Sequence, residues 1–133
     1  MDEIIKFLNE NVNGFLATVD RGKPKVRPFQ FMFAEKEKLF FCTSNTKDVF
    51  KQLIASPYVE FSCTSPSFGW VRVSGKVEFS SDLAVKSKVL EKNELVRSIY
   101  KTAANPVFAV FYIGHGTAFL ADFSGKPPKV VNF

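Results

Sequence analysis

The residues best suited to chemistry lie in the run Phe40-Phe41-Cys42-Thr43-Ser44-Asn45-Thr46-Lys47. An apolar segment ends in hydroxyls, and a lysine follows where the apolar spacing predicts the first turn of a helix. Backbone N–H groups at a helix N-terminus lack intrahelical partners and carry partial positive charge, so the arrangement suits a phosphate. Thr43 and Ser44 can donate hydroxyl hydrogen bonds. Lys47 adds a full charge, and Lys51 stands one turn on, on the same face. The competing reading is plain helix capping by Asn45 or Thr46, with both lysines in solvent.

A second segment, Lys25-Val26-Arg27-Pro28-Phe29-Gln30-Phe31, alternates so that Lys25, Arg27, Phe29 and Phe31 share one strand face. An arginine among aromatic residues calls for an anionic partner, either a ligand or an acidic side chain at the strand mouth. A third, Trp70-Val71-Arg72-Val73-Ser74-Gly75, sets the valines toward a core and the only tryptophan beside Arg72 on the other face. Trp70 there is a ligand contact, or else an exposed or dimer-buried residue. His115, the single histidine, sits between Gly114 and Gly116 in a predicted turn, and Cys42 and Cys63 lie in separate apolar runs. No metal set or Ser/His/Asp constellation can be assembled from these, and the glycines form no dinucleotide or P-loop fingerprint. Redox chemistry would have to come from a bound cofactor.

The elements that must position these residues follow from periodicity. Ile4, Ile5, Leu8 and Val12 predict a helix over Asp2 to Val12 with Asp2 as its cap. Phe15–Val19 and Lys25–Phe33 read as strands around the turn Asp20-Arg21-Gly22-Lys23, the second an edge strand or one bulged near its start because of Pro24 and Pro28. Leu39–Thr43 is a third strand, followed by a helix through Val49, Phe50, Leu53 and Ile54 that Pro57 stops. Tyr58–Cys63 and Trp70–Phe79 are strands, Ser81 and Asp82 cap a helix to about Lys92, and a short helix spans Glu94 to Lys101. Val107–Ile113 and Thr117–Phe123 predict a last hairpin around Gly114-His115-Gly116, with Lys129–Phe133 as an apolar tail. The expected fold is mainly β with flanking helices (α+β), a six-stranded antiparallel split β-barrel in one domain spanning residues 1–133. Barrel closure would remove exposed strand edges.

Composition narrows the class. Apolar residues make up 46% and charged residues 23% of 133, ordinary for a globular domain, but 16 are Phe, which points to a β-rich core and an apolar pocket or subunit interface. The net charge of +5 is dispersed, which suits a small anion and argues against nucleic acid as a partner. No stretch approaches a membrane span, and Asp2, Glu3, Lys6 and Asn9 keep the first segment from reading as an export signal. Two unpaired thiols fit the cytoplasm.

In their order and spacing the three segments resemble the pyridoxamine 5′-phosphate oxidase-like flavoproteins. The likeness is carried by Gly14-Phe15-Leu16-Ala17-Thr18-Val19, Gly22-Lys23-Pro24 and Arg27-Pro28-Phe29, by Phe41-Cys42-Thr43 through Lys47 with Gln52-Leu53 and Pro57-Tyr58-Val59, and by Trp70 through Val77. It implies a split-barrel homodimer with FMN at the subunit interface. The phosphate would be held at Arg27, Thr43 and Lys47, with residues 28–30 and Trp70 at the flavin ring. The cofactor-binding set so expected is Arg27, Pro28, Phe29, Gln30, Cys42, Thr43, Asn45, Lys47, Lys51 and Trp70. The C-terminal segment carries none of the arginine and tryptophan contacts of the oxidase proper, so the chain is more similar to the short, nitroimidazole-reductase-like subgroup. The implied activity is transfer of hydride or electrons between reduced flavin and a small planar acceptor. The alternatives are a non-catalytic store or sensor for flavin or haem, and a small barrel that binds single-stranded nucleic acid by stacking.

Overall fold

The helical spacing of Ile4 and Leu8 forms α1 (Asp2–Glu10) and buries both completely, with Met1 rather than Asp2 in the cap position. A computed structural model describes all 133 residues. β1 (Asn13–Asp20) and β2 (Lys23–Gln30) form a hairpin whose turn residues Arg21 (φ 53°) and Gly22 (φ 77°) are both left-handed, the turn that matches strand twist. β3 (Phe33–Glu35) and β4 (Lys38–Ser44) repeat this turn at Lys36 and Glu37 without a glycine. Then follow α2 (Asp48–Ala55), β5 (Tyr58–Thr64), β6 (Trp70–Ser80), α3 (Leu83–Lys92), α4 (Glu94–Tyr100), β7 (Phe108–Ala121) and β8 (Lys129–Asn132).

All pairings are antiparallel, in the order β2-β1-β5-β6-β7-β4-β3, with β8 added to β7. The expected mainly β, α+β architecture is present, but with eight strands rather than six and without a closed ladder. The long Lys25–Phe33 strand is broken at Phe31 and Met32, where the chain turns from one end of the sheet to the other. Phe31 N–H donates to Val12 O at 2.8 Å and Met32 N–H to Phe40 O at 3.0 Å. Chain continuity, not a strand ladder, thus links the two ends. The tail is a paired strand, β8.

The expected C-terminal hairpin is instead one strand of 14 residues, β7. Glycine favours a hairpin turn, but it also permits close backbone approach within a strand. The second effect operates here: Gly75 pairs with Gly116 beside a register shift in β6, and a Cβ on Gly116 would collide with the Ser74 carbonyl. The strand therefore passes through this point without reversing.

Two apolar clusters lie on opposite faces of β4. Leu39 and Phe41 belong to a core of 17 buried residues that includes Ile4, Leu16 and Phe61. Phe41 is its hub, with ring centroids 5.1 Å from Phe61, 5.6 Å from Phe111 and 5.8 Å from Phe31. Phe40 joins a second cluster under α3 and α4 with Phe33, Val89, Leu90, Tyr100 and Phe108. Both faces of β4 are covered, which accounts for its unbroken apolar run. No helix is long and apolar enough to cross a membrane.

Candidate functional site

A cleft of about 510 Å³ opens between the end of β2, the end of β4, the start of α2 and the exposed side of α4. That volume lies in the range of small-molecule sites. Seven of the expected residues line it: Arg27, Pro28, Phe29, Gln30, Cys42, Thr43 and Lys47. Asn45, Lys51 and Trp70 stand elsewhere. Asn45 donates to Pro106 O at 3.0 Å, Lys51 lines a neighbouring groove with Asp20 and Asp48, and Trp70 packs on Phe123 at 5.1 Å.

Strand alternation points Arg27 inward, directly across from Leu16 in register. Its Nη1 donates to Leu16 O at 3.2 Å and to Thr18 Oγ1 at 2.7 Å, and its Nη2 donates to Gln52 Oε1 at 2.6 Å. None of the six ion pairs involves Arg27 or Lys47. Burial pulls the Arg27 pKa below the ordinary arginine value, the signature of a charge partly removed from water without a counter-ion.

Thr43 is 3% exposed, and its Oγ1 is buried with no protein partner. An orphaned hydroxyl of this kind costs about 1–3 kcal/mol unless something satisfies it. Its neighbours point elsewhere. Ser44 Oγ pairs with Thr46 Oγ1 at 2.7 Å and accepts the Thr46 N–H, and the cap position of α2 falls to Lys47, with no side-chain cap bond. The competing reading, capping by Asn45 or Thr46, is therefore not what the fold uses, and the first turn of α2 keeps its donors free of side chains.

The sequence reading missed the opposite wall. Leu95 and Ile99 of α4 line the cleft and are 67% and 58% exposed, whereas Val96 and Tyr100, the next stripe, are buried. Asn93 caps α4 by accepting the Val96 N–H at 3.0 Å, and its Nδ2 donates to Gln30 Oε1, tying the helix to β2. Helical spacing identifies these apolar positions, but nothing local says that one stripe faces a cleft. Thr18 of β1 and Gln52 of α2 were missed too; for Thr18 the available signal was a polar residue on the inward face of an apolar strand.

Burial pushes the Cys42 thiol up to about 12, against a smaller downward pull from Lys47, and Cys63 up to about 11. Burial also raises Tyr100. Both thiols and this phenol stay protonated at neutral pH, so none is a ready base or nucleophile. No group of three or more His, Cys, Asp and Glu is placed to hold a metal ion.

The pyridoxamine 5′-phosphate oxidase family matches residues 1–113. No curated protein sequence matches the chain. Among solved structures, a NimC/NimA family protein from Clostridium acetobutylicum is similar at 32% identity and a TM-score of 0.91, over 100% of this chain and 92% of that one. A pyridoxamine 5′-phosphate oxidase-related, FMN-binding protein from Nostoc punctiforme shares 18% identity with a TM-score of 0.69, over 89% of this chain and 78% of that one. A heme-binding protein from Mycobacterium smegmatis shares 15% identity with a TM-score of 0.82, over 98% of this chain and 56% of that one.

Proposed function

Because the chain belongs to the pyridoxamine 5′-phosphate oxidase family, we propose that it is an FMN-binding flavoprotein that passes electrons or hydride to a small planar acceptor. The observation that carries this reading is the Thr43 hydroxyl, buried and unpartnered in a cleft that also holds two cations without acidic partners. Such a site asks for an anion with hydrogen-bond acceptors, and a phosphate meets that need. The rest of the cleft suits a flat ring: Phe29 is half-buried against Phe41 and Phe111, and α4 supplies an apolar wall opposite.

Bound FMN would supply reversible two-electron redox chemistry. Arg27, Thr43 and Lys47 would hold its phosphate, Pro28, Phe29 and Gln30 would flank the ring, and Leu95 and Ile99 would keep water from it. Cys42 and Tyr100 would line the site as protonated, unreactive groups. The Mycobacterium smegmatis relative is described as heme-binding, but the single histidine here, His115, lies within β7 beside the register shift and does not line the cleft. That leaves haem without a histidine ligand in the cleft and favours flavin as the ligand.

Assembly into a homodimer is part of this reading. On the outer face of the first hairpin, Phe15 (57% exposed) pairs with Pro28, and Val26 (67% exposed) with Ala17. Val19 continues the patch. An apolar sheet face of this kind is an association surface, and a two-fold contact uses it twice. Free thiols at Cys42 and Cys63 are consistent with a cytoplasmic setting.

The test is a pair of titrations, FMN against riboflavin, followed by fluorescence quenching. FMN should bind the more tightly, and Lys47→Ala should cost about one to two decades of FMN affinity while leaving riboflavin unchanged. Equal affinity for the two flavins would remove the phosphate site.

A further inference from the structure

Arg27 has an unusual set of partners. A half-buried guanidinium is ordinarily matched by a carboxylate. Here its acceptors are all neutral: the Leu16 carbonyl, the Thr18 hydroxyl and the Gln52 amide oxygen, at 3.2, 2.7 and 2.6 Å. The acceptors are also tied to each other, since Thr18 Oγ1 donates to Gln52 Oε1 at 2.5 Å. Thr18 is 1% exposed, so its rotamer is set by packing. The closest acidic candidate in the hairpin, Asp20, is engaged with Arg21 at 3.8 Å instead.

We propose that Thr18 and Gln52 form a neutral clamp that orients Arg27 while leaving its charge uncompensated for the ligand's phosphate. The inference rests on the FMN reading above and names positioning residues for it, since neither residue lines the cleft. The clamp spends three N–H bonds on protein acceptors and leaves two, Nε–H and one on Nη2, without a protein partner. Those two are available to an oxyanion. A carboxylate at position 52 could accept the same hydrogen bonds, and more strongly. It would also neutralise Arg27 and repel the phosphate, so the amide in that place keeps geometry and charge separate.

Two substitutions distinguish this from a purely structural role. Gln52→Glu keeps shape and acceptor and adds a charge; Gln52→Met keeps approximate shape and removes the acceptor. If the bonds matter only for packing, Gln52→Met is the worse change. If the uncompensated charge matters, Gln52→Glu is worse, weakening FMN by about tenfold or more while riboflavin affinity stays within about twofold. The apo protein carrying Gln52→Glu should melt no lower than wild type, since its Arg27 gains an ion pair. The measurements are FMN and riboflavin titrations on wild type and both variants, with apo melting curves. Wild type that prefers FMN, together with undiminished FMN affinity in Gln52→Glu or a larger loss in Gln52→Met, overturns the clamp and leaves the FMN reading standing. Wild type that does not discriminate FMN from riboflavin removes both.

Discussion

Replacing Thr43 with valine should move stability and binding in opposite directions. The two side chains are close in shape, so the substitution exchanges Oγ1 for a methyl group and little else. In the free protein that oxygen is buried without a protein partner in a residue only 3% exposed. Leaving a hydroxyl in that state costs about 1–3 kcal/mol, a cost that valine removes. For a domain of this size each kcal/mol gained raises the melting temperature by about 3–6 °C. In the FMN complex the sign reverses. The hydroxyl would donate to a charged phosphate oxygen, a bond of about 1.5–3 kcal/mol, and its loss should weaken FMN by about one to two decades. Melting curves of the apo protein and fluorescence titration with FMN read the two effects separately. A valine variant that melts lower than wild type and binds FMN unchanged would refute the reasoning, because the hydroxyl would then be serving the fold and not a ligand.

Two other outcomes are expected. The folded pKa values of Cys42 (about 12) and Cys63 (about 11) lie above that of a free thiol, so the unfolded state loses its protons first as pH rises. Their contribution to stability is complete below about pH 8.5 and is lost as pH climbs through the folded values. The melting temperature should therefore fall on alkaline titration, and the pair Cys42→Ala with Cys63→Ala should flatten that fall; an unchanged slope in the pair would contradict the assignment. For assembly, sedimentation equilibrium should find a dimer that Val26→Asp dissociates by charging its apolar face, and a wild-type monomer that binds one FMN would overturn the shared interface.

Much of the framework was legible because its causes are local. Alternation placed Arg27 and Phe29 on one face of β2, and the apolar spacing of Val49 and Leu53 placed α2 after β4. What escaped depends on contacts distant in sequence. Gly114-His115-Gly116 has the composition of a turn, but β4 and β8 pair with β7 on either side of it, and those ladders hold the chain extended where its composition alone would reverse it. The apolar run of β4 does not reveal that α3 and α4 cover one face, and so it does not reveal the α4 wall of the cleft.

The site shows the same division. Thr43 and Lys47 stood out as candidate phosphate contacts by type and order, and Arg27 by the family resemblance, yet each has a competing ordinary use: an ion pair, a satisfied core hydroxyl, a solvated charge. Only three dimensions decide among these. Arg27 meets amide and hydroxyl oxygens where a carboxylate would have closed the question, Thr43 meets nothing, and Lys47 stands at the helix cap without an acidic partner. Each departure is small, and any one could be a tolerated imperfection. Together on one cleft they form a shortage of acceptors around two cations and a hydroxyl, and a shortage of that shape is what an anion-binding site presents before its ligand arrives.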